Sequence, residues 1–155
     1  MENIQSVPVL LRREIEAAMV VPFLRAFAEK FGRDETMEVA KNVMADIARE
    51  SGKQLAEFVG GNSITHLCEK VTPLYEKGNA LSMEIRRTGE TSLEKDVSHC
   101  AYVEMYERLG MKEFGFLLSC ARDEYMFKGF NPDFKFSRST TLMEGGKCCD
   151  IRITI

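Results

Sequence analysis

The spacing of apolar residues changes along this chain from a helical period to strict alternation, and it does so twice. Residues 7–78 carry apolar side chains at the three-to-four-residue spacing of helices, whereas 80–99 and 134–155 alternate, with short helical stretches between them. This order predicts an α+β fold with an N-terminal helical half and an antiparallel sheet of about four strands, covered by helices on one face. The length fits one domain over 1–155, with a helical platform at 7–78 and the hairpins and short helices at 80–155.

The helical half contains three amphipathic stretches, expected as helices at 7–31, 35–58 and 63–77. Their apolar stripes include Leu11, Ile15, Ala18, Met19 and Phe23 in the first, and Val39, Val43, Met44, Ile47, Leu55 and Phe58 in the second. Asp34 is expected to cap the second helix and Asn62 or Ser63 the third, because short polar side chains accept hydrogen bonds from first-turn amides. Pro22 and Pro73 lack an amide donor, so we expect each to kink or break its helix.

The sheet is predicted from two hairpins that lie far apart in the sequence. Its strands are expected at 80–87, 92–99, 134–143 and 148–155, and the short helices at 101–109, 112–122 and 123–127. In the second strand, alternation turns Leu93, Val97 and His99 towards the apolar face. Cys100 follows at once, at the start of a short helix.

The second hairpin places a cation and a thiol on the inner side of the sheet. Arg138 shares the face of its strand with Phe134, Phe136 and Leu142. A buried guanidinium needs an anionic partner, from the protein or from a ligand carboxylate. In the last strand, Cys149 lies with the isoleucines and Cys148 faces the other way.

Composition argues against several functional classes. The net charge is −3 and there is no basic run, so nucleic-acid binding is not expected. The longest apolar stretch is broken near Arg25, well short of a membrane span. The N-terminus carries acids and arginines without a small-residue cleavage site, so no secretory signal is expected. Five cysteines are an odd number, which favours reduced thiols in a cytoplasmic protein over a disulfide scaffold.

Three of the cysteines fall at the predicted junction between the sheet and the helices. The residues expected to converge there are Cys100, Cys120, Cys149, His99, Glu104, Asp123 and Arg138. One cysteine could be a nucleophile, with a carboxylate or histidine moving protons. Alternatively, two or three thiolates, with or without His99, could hold zinc with one position open to water. A third interpretation is that the three cysteines are buried as small apolar side chains.

Several short motifs occur in a recognisable order between His99 and Arg152. They are a first cysteine followed by an aromatic, an LG…EFG…C..D block, an aromatic-Asn-Pro loop, an R..T strand and a closing G…CD.R strand. In these motifs, and in the N-terminal EIEAAMVVPFLRAFAEKFG, the chain resembles the L-2-amino-thiazoline-4-carboxylic acid hydrolase family over most of its length. The closing strand is also similar to 4-vinyl-reductase-type ligand-binding domains, at the level of the fold.

The first resemblance implies a hydrolase acting on carbon–nitrogen bonds of a small cyclic amidine. Water would open the thiazoline acid at its amidine carbon to give N-carbamoyl-L-cysteine. The residues that match the family pattern are Cys100, Cys120, Asp123, Asn131, Arg138, Thr141, Cys149, Asp150 and Arg152. Cys120 or Cys149 would be the nucleophile or a metal ligand, Asp123 the general acid/base, and Cys100 a further catalytic candidate. Candidates for substrate binding are Arg138, as the carboxylate anchor, His99, Glu104, Asn131 and Thr141.

Two other functions stay open on the sequence alone. A non-catalytic small-molecule-binding or redox-sensing domain of the 4-vinyl-reductase type would bind a ligand without turnover. A structural helical partner domain would have no defined pocket. No cofactor is expected, although zinc is possible, and the expected partner is a small-molecule substrate rather than nucleic acid or a membrane. The long apolar N-terminal helices also suggest a homodimer.

Overall fold

Within residues 6–155, which the computed structural model describes, six helices and four strands follow one another in the predicted order. Helices α1 to α6 span Val9–Phe31, Arg33–Val59, 64–76, Ala101–Arg108, 112–120 and Arg122–Phe130. Strands β1 to β4 span Leu81–Thr88, Ser92–Cys100, Lys135–Ser137 and Cys149–Thr154. They form one antiparallel sheet in the order β1-β2-β4-β3, and α2, α3 and α6 pack against its inner face. The predicted α+β class is therefore confirmed.

A single glycine joins the two long N-terminal helices. Gly32 ends α1 with its amide bonded to Ala28, and it is also the residue that precedes α2. The expectation that Asp34 caps α2 is therefore wrong. The helix begins at Arg33, two residues before its predicted start, and Asp34 lies in its first turn. A carboxylate there still favours the helix through the positive end of the helix dipole.

Pro22 does not divide α1, which runs unbroken from Val9 to Phe31. The proline removes one hydrogen bond to the carbonyl of Ala18. Both Pro22 and Ala18 are exposed, so water can satisfy that carbonyl.

Two helices contain one π-helical turn each, where the helix is locally wider than an α-helix. In α3 this turn covers Leu67–Val71, just before Pro73, and the predicted cap is confirmed because Ser63 accepts a hydrogen bond from the amide of His66. In α5 the turn covers Phe116–Cys120. Such turns are frequent at functional sites, because they redirect the side chains that follow.

The inner face of the sheet is made by β2 and β4. Its cross-strand pairs are Leu93 with Ile153, Lys95 with Ile151, and Val97 with Cys149, and all six side chains are buried. Cys149 faces inwards as predicted. Lys95 is the one ionisable amine in this layer, at a position that alternation assigns to the apolar face.

A β-bulge changes the direction of the end of β2. Met83 pairs with Val97, but Ser82 pairs with His99, which leaves Ser98 as an extra residue. The expectation that His99 shares the apolar face is therefore wrong, and its side chain is 42% exposed. The same shift turns Cys100 inwards.

The third strand is much shorter than predicted. It ends at Ser137 because the next backbone amides bond to a side chain instead of a strand: Ser139 and Thr140 donate to Oδ1 of Asp150 at 2.9 and 2.8 Å. Residues 138–148 therefore form a loop with a 3₁₀ turn at Leu142–Glu144 rather than the outer part of a hairpin.

The apolar interior consists of two clusters, one on each side of a hollow. One cluster joins the sheet to α2, α3 and α6, and the other joins α1 to α4 and α5. Side chains from both clusters line the space between them. The fold thus places a cavity at the junction of sheet and helices.

Candidate active site

The cavity has a volume of about 240 Å³ and gathers five of the residues expected to carry chemistry. Cys100, Cys120, Cys149, Asp123 and Arg138 all line it. Cys100 comes from the bulged end of β2, Cys120 from the π-helical turn of α5, and Cys149 from the start of β4. The volume lies below the range of about 300–1,000 Å³ typical of drug-sized ligands, so it suits a small metabolite.

Four other predicted residues lie outside the lining of this cavity. His99 and Glu104 face a separate, shallower depression, with His99 Nδ1 3.5 Å from Glu104 Oε1. Asn131 shapes the turn after α6 through both atoms of its side-chain amide. The nitrogen donates to the carbonyl of Asn62, and the oxygen accepts from the backbone amide of Asp133. Thr141 caps the 3₁₀ turn by accepting from the amide of Glu144. These contacts give Asn131 and Thr141 structural roles, and their expected substrate contacts stay a prediction.

Asp123 and Arg138 form an ion pair at one wall of the cavity. Nη1 of Arg138 donates to Asp123 Oδ2 at 2.5 Å, and Nη2 donates to the carbonyl of Cys120 at 3.1 Å. The guanidinium also lies over the rings of Phe116 and Phe136, 5.9 and 5.4 Å from their centroids. Burial raises the pKa of Asp123, although Arg138 acts in the opposite direction. The pair therefore provides a carboxylate that is more basic than one in water.

The three cavity cysteines rest as thiols. Burial raises the pKa of Cys100 to about 11, and it also raises the pKa values of Cys120 and Cys149. The amides of Tyr102 and Val103 act against this shift at Cys100, and the amide of Leu142 does so at Cys149. A thiol in this cavity needs a neighbouring base before it can attack.

Basic side chains outnumber carboxylates around the cavity. Its basic lining residues are Arg12, Arg13, Lys95, Arg122 and Arg138, whereas its carboxylates are Glu16 and Asp123. Arg13 and Arg122 both donate to one oxygen of Glu16, at 2.6 and 2.9 Å. A chain with a net charge of −3 thus surrounds its cavity with excess positive charge, which favours an anionic ligand.

The comparison with protein families shows which family the chain belongs to. The model of the L-2-amino-thiazoline-4-carboxylic acid hydrolase family matches residues 12–153. The chain belongs to this family. The matched segment contains every residue that lines the cavity, from Arg12 to Ile151. No curated protein matches the chain.

Sequence reasoning missed several polar residues in the cavity of this family member. For two of them, the residue pattern does indicate that the side chain faces inwards. Lys95 lies between Leu93 and Val97 in an alternating strand, so the alternation alone indicates that it lies on the inner face. Arg13 continues the buried line that includes Ala17 and Val21 on α1, and it pairs with Glu16.

Tyr102 is a further missed residue, with an unusual hydroxyl. The side chain is 7% exposed and lines the cavity, and its hydroxyl has no hydrogen-bond partner among residues 6–155. The neighbouring Tyr106 differs, because its hydroxyl lies 3.0 Å from Ser119 Oγ. Buried hydroxyls are normally paired, so the Tyr102 hydroxyl is available for a ligand.

The zinc interpretation has no ligand set in the part of the chain that the structure describes. Across residues 6–155, no three His, Cys, Asp or Glu side chains are arranged to hold a metal ion. His99 faces the other depression, whose lining includes Cys100 but neither Cys120 nor Cys149. We therefore derive no step through a metal.

Proposed function

We propose that this protein is a hydrolase that opens a small, anionic cyclic amidine, with L-2-amino-thiazoline-4-carboxylate as the leading substrate. The observation that carries the proposal is the cavity, where thiols, a basic carboxylate and excess cations meet within a member of this hydrolase family. The reaction needs a nucleophile, a group that moves protons and a cationic site for the substrate carboxylate. The cavity also argues against a purely structural domain.

The product named for this reaction determines which bond must break. In N-carbamoyl-L-cysteine the carbamoyl carbon keeps both of its nitrogens, so water adds at that carbon and the ring carbon–sulfur bond breaks. The ring sulfur leaves with a proton as a free thiol. Cleavage of the exocyclic carbon–nitrogen bond, which corresponds to the carbon–nitrogen hydrolase expected from the sequence, would release ammonia instead. The two outcomes differ in whether a thiol or ammonia appears.

We assign the attack to Cys120 and the proton transfer to Asp123. After burial, Asp123 is the group with the largest electrostatic influence on the pKa of Cys120, and Arg138 contacts both residues. Asp123 takes the thiol proton as the sulfur bonds to the amidine carbon, and the same proton passes to the leaving ring sulfur. Water then displaces Cys120 from the carbon, which restores the thiol and completes the urea group of the product.

The test is turnover of the thiazoline acid, followed by the appearance of free thiol and of ammonia. We expect Cys120→Ala to lower the rate at least 100-fold, whereas Cys148→Ala, at a cysteine outside the cavity lining, keeps it within twofold. In the wild type, mass spectrometry of the quenched enzyme should detect an adduct equal in mass to the substrate. Binding without any turnover by the wild type would instead favour a ligand-binding domain of the 4-vinyl-reductase type.

A reducing location is part of this proposal, because the attacking group must be a thiol. All five cysteines are free in the structure. None of the helices within residues 6–155 is long and apolar enough to cross a membrane. We propose a cytoplasmic location on these grounds.

We also propose that the protein associates with a second copy through the outward faces of α1 and α2. Most residues of the apolar stripes predicted on these helices face outwards, whereas Leu55 is buried in the core and Met44 is half-buried. The outer stripe, as we name it, consists of Leu11, Ile15, Met19, Phe23, Phe27, Phe31, Val39, Val43 and Ile47, each between 43% and 65% exposed. The core side of α1 carries smaller residues, such as Ala17 and Val21.

The extent of the outer stripe matches what a stable dimer needs. Nine large side chains that each expose roughly 100 Å² amount to about 900 Å², whereas the largest apolar patch of a typical monomer is about 300–600 Å². A standard interface buries about 800 Å² on each partner. Ile47 also lines the cavity, so a second copy on the outer stripe would contact a residue of the cavity wall.

A further inference from the structure

Lys95 is a buried amine whose position has no structural explanation within the protein. Its side chain is 4% exposed, in the middle of the inner face of β2, and it lines the cavity. Lysine is among the residues least often fully buried, and buried examples are normally paired with a carboxylate. A well-packed apolar side chain at this position would stabilise the sheet more than a lysine does.

The protein gives Lys95 one neutral hydrogen bond and no ion pair within residues 6–155. Nζ donates to the hydroxyl of Thr72 at 3.3 Å, and Thr72 in turn donates to the carbonyl of Leu67 in the π-helical turn of α3. The charged or titratable groups that influence it are Asp123 of α6, with Cys68 and Glu76 of α3. Burial outweighs these and lowers the pKa of Lys95 to about 8.

Three other cations that line the cavity already form ion pairs with carboxylates. They are Arg13, Arg122 and Arg138. Arg138, which the sequence suggested as the carboxylate anchor, is held by Asp123 and by the carbonyl of Cys120. Arg13 and Arg122 share Glu16. A substrate carboxylate at any of these three would have to displace an existing ion pair, whereas at Lys95 it would supply the counter-ion that is missing.

We propose that Lys95 binds the carboxylate of the substrate, with the unpaired hydroxyl of Tyr102 as a second donor facing the same cavity. This assignment rests on the proposed function, because it takes an anionic ring as the ligand. It fixes the substrate class as a small heterocyclic acid and leaves Asp123 and Cys120 free for the chemistry. Arg138 then acts as a positioning residue that orients Asp123.

The proposal has a consequence that a structural lysine would not share. A bound carboxylate stabilises the ammonium form and raises the pKa of Lys95. At pH values near and above 8, where the free protein holds part of its Lys95 uncharged, binding must therefore take up protons. Below about pH 7 the amine is already charged, and the uptake disappears.

The test is calorimetric binding of thiazolidine-4-carboxylate, a saturated ring that has no amidine carbon and cannot be hydrolysed by this reaction. We expect it to bind at least tenfold tighter than thiazolidine itself, which lacks the carboxylate. Lys95→Met should remove at least tenfold of this affinity. Lys70→Met, at an exposed lysine outside the cavity, should leave it unchanged. Titrations at pH 8.5 in two buffers of different ionisation enthalpy should show proton uptake in the wild type and none in Lys95→Met.

The outcomes separate this proposal from the proposed function. Because the probe is not turned over, its binding is decided whether or not the protein is a hydrolase. Equal affinity of the wild type and Lys95→Met for the acid would overturn the assignment. A Lys95→Met enzyme that binds the acid normally but turns over the thiazoline slowly would also overturn it, and would place Lys95 in the chemistry instead. Thermal melting of Lys95→Met shows whether the variant is folded, and we expect it to be, because an apolar side chain suits this layer.

Discussion

At the scale of single residues, the cavity is characterised by polar groups that the fold buries without satisfying them. Lys95 lacks an ion-pair partner among the described residues, and the hydroxyl of Tyr102 has no hydrogen bond. Unpaired buried groups cost stability, so they persist where a ligand can pair with them. The neighbouring Tyr106, whose hydroxyl is paired with Ser119, provides a natural reference.

We predict opposite effects for two tyrosine-to-phenylalanine substitutions. Tyr102→Phe removes a hydroxyl that has no partner, so the free energy of unfolding should stay equal or rise, while binding of thiazolidine-4-carboxylate weakens severalfold. Tyr106→Phe breaks an existing hydrogen bond and should lower the free energy of unfolding by about 1 kcal/mol with little effect on binding. Urea denaturation and calorimetry measure both quantities. Destabilisation by Tyr102→Phe would mean that its hydroxyl has a protein partner.

The sequence predicted what some single residues need, but it did not predict the strand pairing that decides which way they face. The need of a buried guanidinium for an anion led to the expectation of an anionic partner for Arg138, from the protein or from a ligand carboxylate, and Asp123 is that partner in the structure. The alternation of β2 also indicates that Lys95 faces inwards, although this residue was missed in the sequence analysis. The prediction failed at His99, because one extra residue in β2 reverses the alternation, and a bulge is fixed by pairing with a distant strand rather than by local composition.

At the scale of elements, the closest contact that supports the cavity is between α2 and α6. These helices cross at two glycines where a side chain would meet backbone. A Cβ atom at Gly129 would lie 2.0 Å from the carbonyl oxygen of Arg49, and one at Gly52 would lie 2.1 Å from that of Met126. Since α6 also carries Asp123, this crossing determines where the carboxylate that we propose as catalytic lies.

We predict that Gly129→Ala lowers the free energy of unfolding by about 2 kcal/mol or more, since overpacking against rigid backbone must push the helices apart. Gly89→Ala is the matched control, because a Cβ there meets only the hydroxyl of Ser92, at 3.9 Å. Chemical denaturation of both variants measures the difference. A Gly129→Ala protein as stable as Gly89→Ala would contradict the close crossing of α2 and α6.

The loop between β3 and β4 depends on Asp150. Its carboxylate accepts from the amides of Ser139 and Thr140 and from the Ser139 hydroxyl. Partial burial acts against ionisation, but these hydrogen bonds prevail and lower the pKa of Asp150 to about 2. The alternating sequence of 134–143 predicted a strand through this region because such long-range hydrogen bonds cannot be read from local pattern.

We predict that Asp150→Asn destabilises the protein by about 1 kcal/mol at neutral pH, after allowance for solvent screening. Because the folded-state pKa lies below that of the unfolded chain, the contribution of the carboxylate is fully present above about pH 4 and is lost as the pH falls towards 2. The stability difference between wild type and Asp150→Asn should therefore shrink over that range. Thermal melts at several pH values measure it, and a difference that is constant with pH would contradict this role.

At the scale of the whole molecule, the helical period of α1 and α2 was predicted correctly, but most of the face that it marks is on the outside. Periodicity identifies an apolar stripe and cannot tell whether the stripe meets the chain's own core or a partner. The core instead uses the smaller side chains of α1, together with the buried half of α2. This arrangement motivates the proposed dimer.

We predict that Met19→Glu and Phe23→Glu convert a dimer into monomers, because each places a carboxylate in the middle of the outer stripe. Ile85→Glu introduces the same charge at an exposed apolar residue of β1, away from the stripe, and should leave the dimer intact. Sedimentation equilibrium measures the mass of each species. A wild-type protein that stays monomeric at high concentration would contradict the proposal.

The central claim is that the cavity between the sheet and the helices is the catalytic site. It is tested most directly by the initial rate of thiol release from L-2-amino-thiazoline-4-carboxylate in Asp123→Asn, compared with Glu104→Gln, which changes a carboxylate outside the cavity. We predict that Asp123→Asn lowers this rate at least 100-fold, while Glu104→Gln stays within twofold of the wild type. Equal rates for Asp123→Asn and the wild type would contradict the claim.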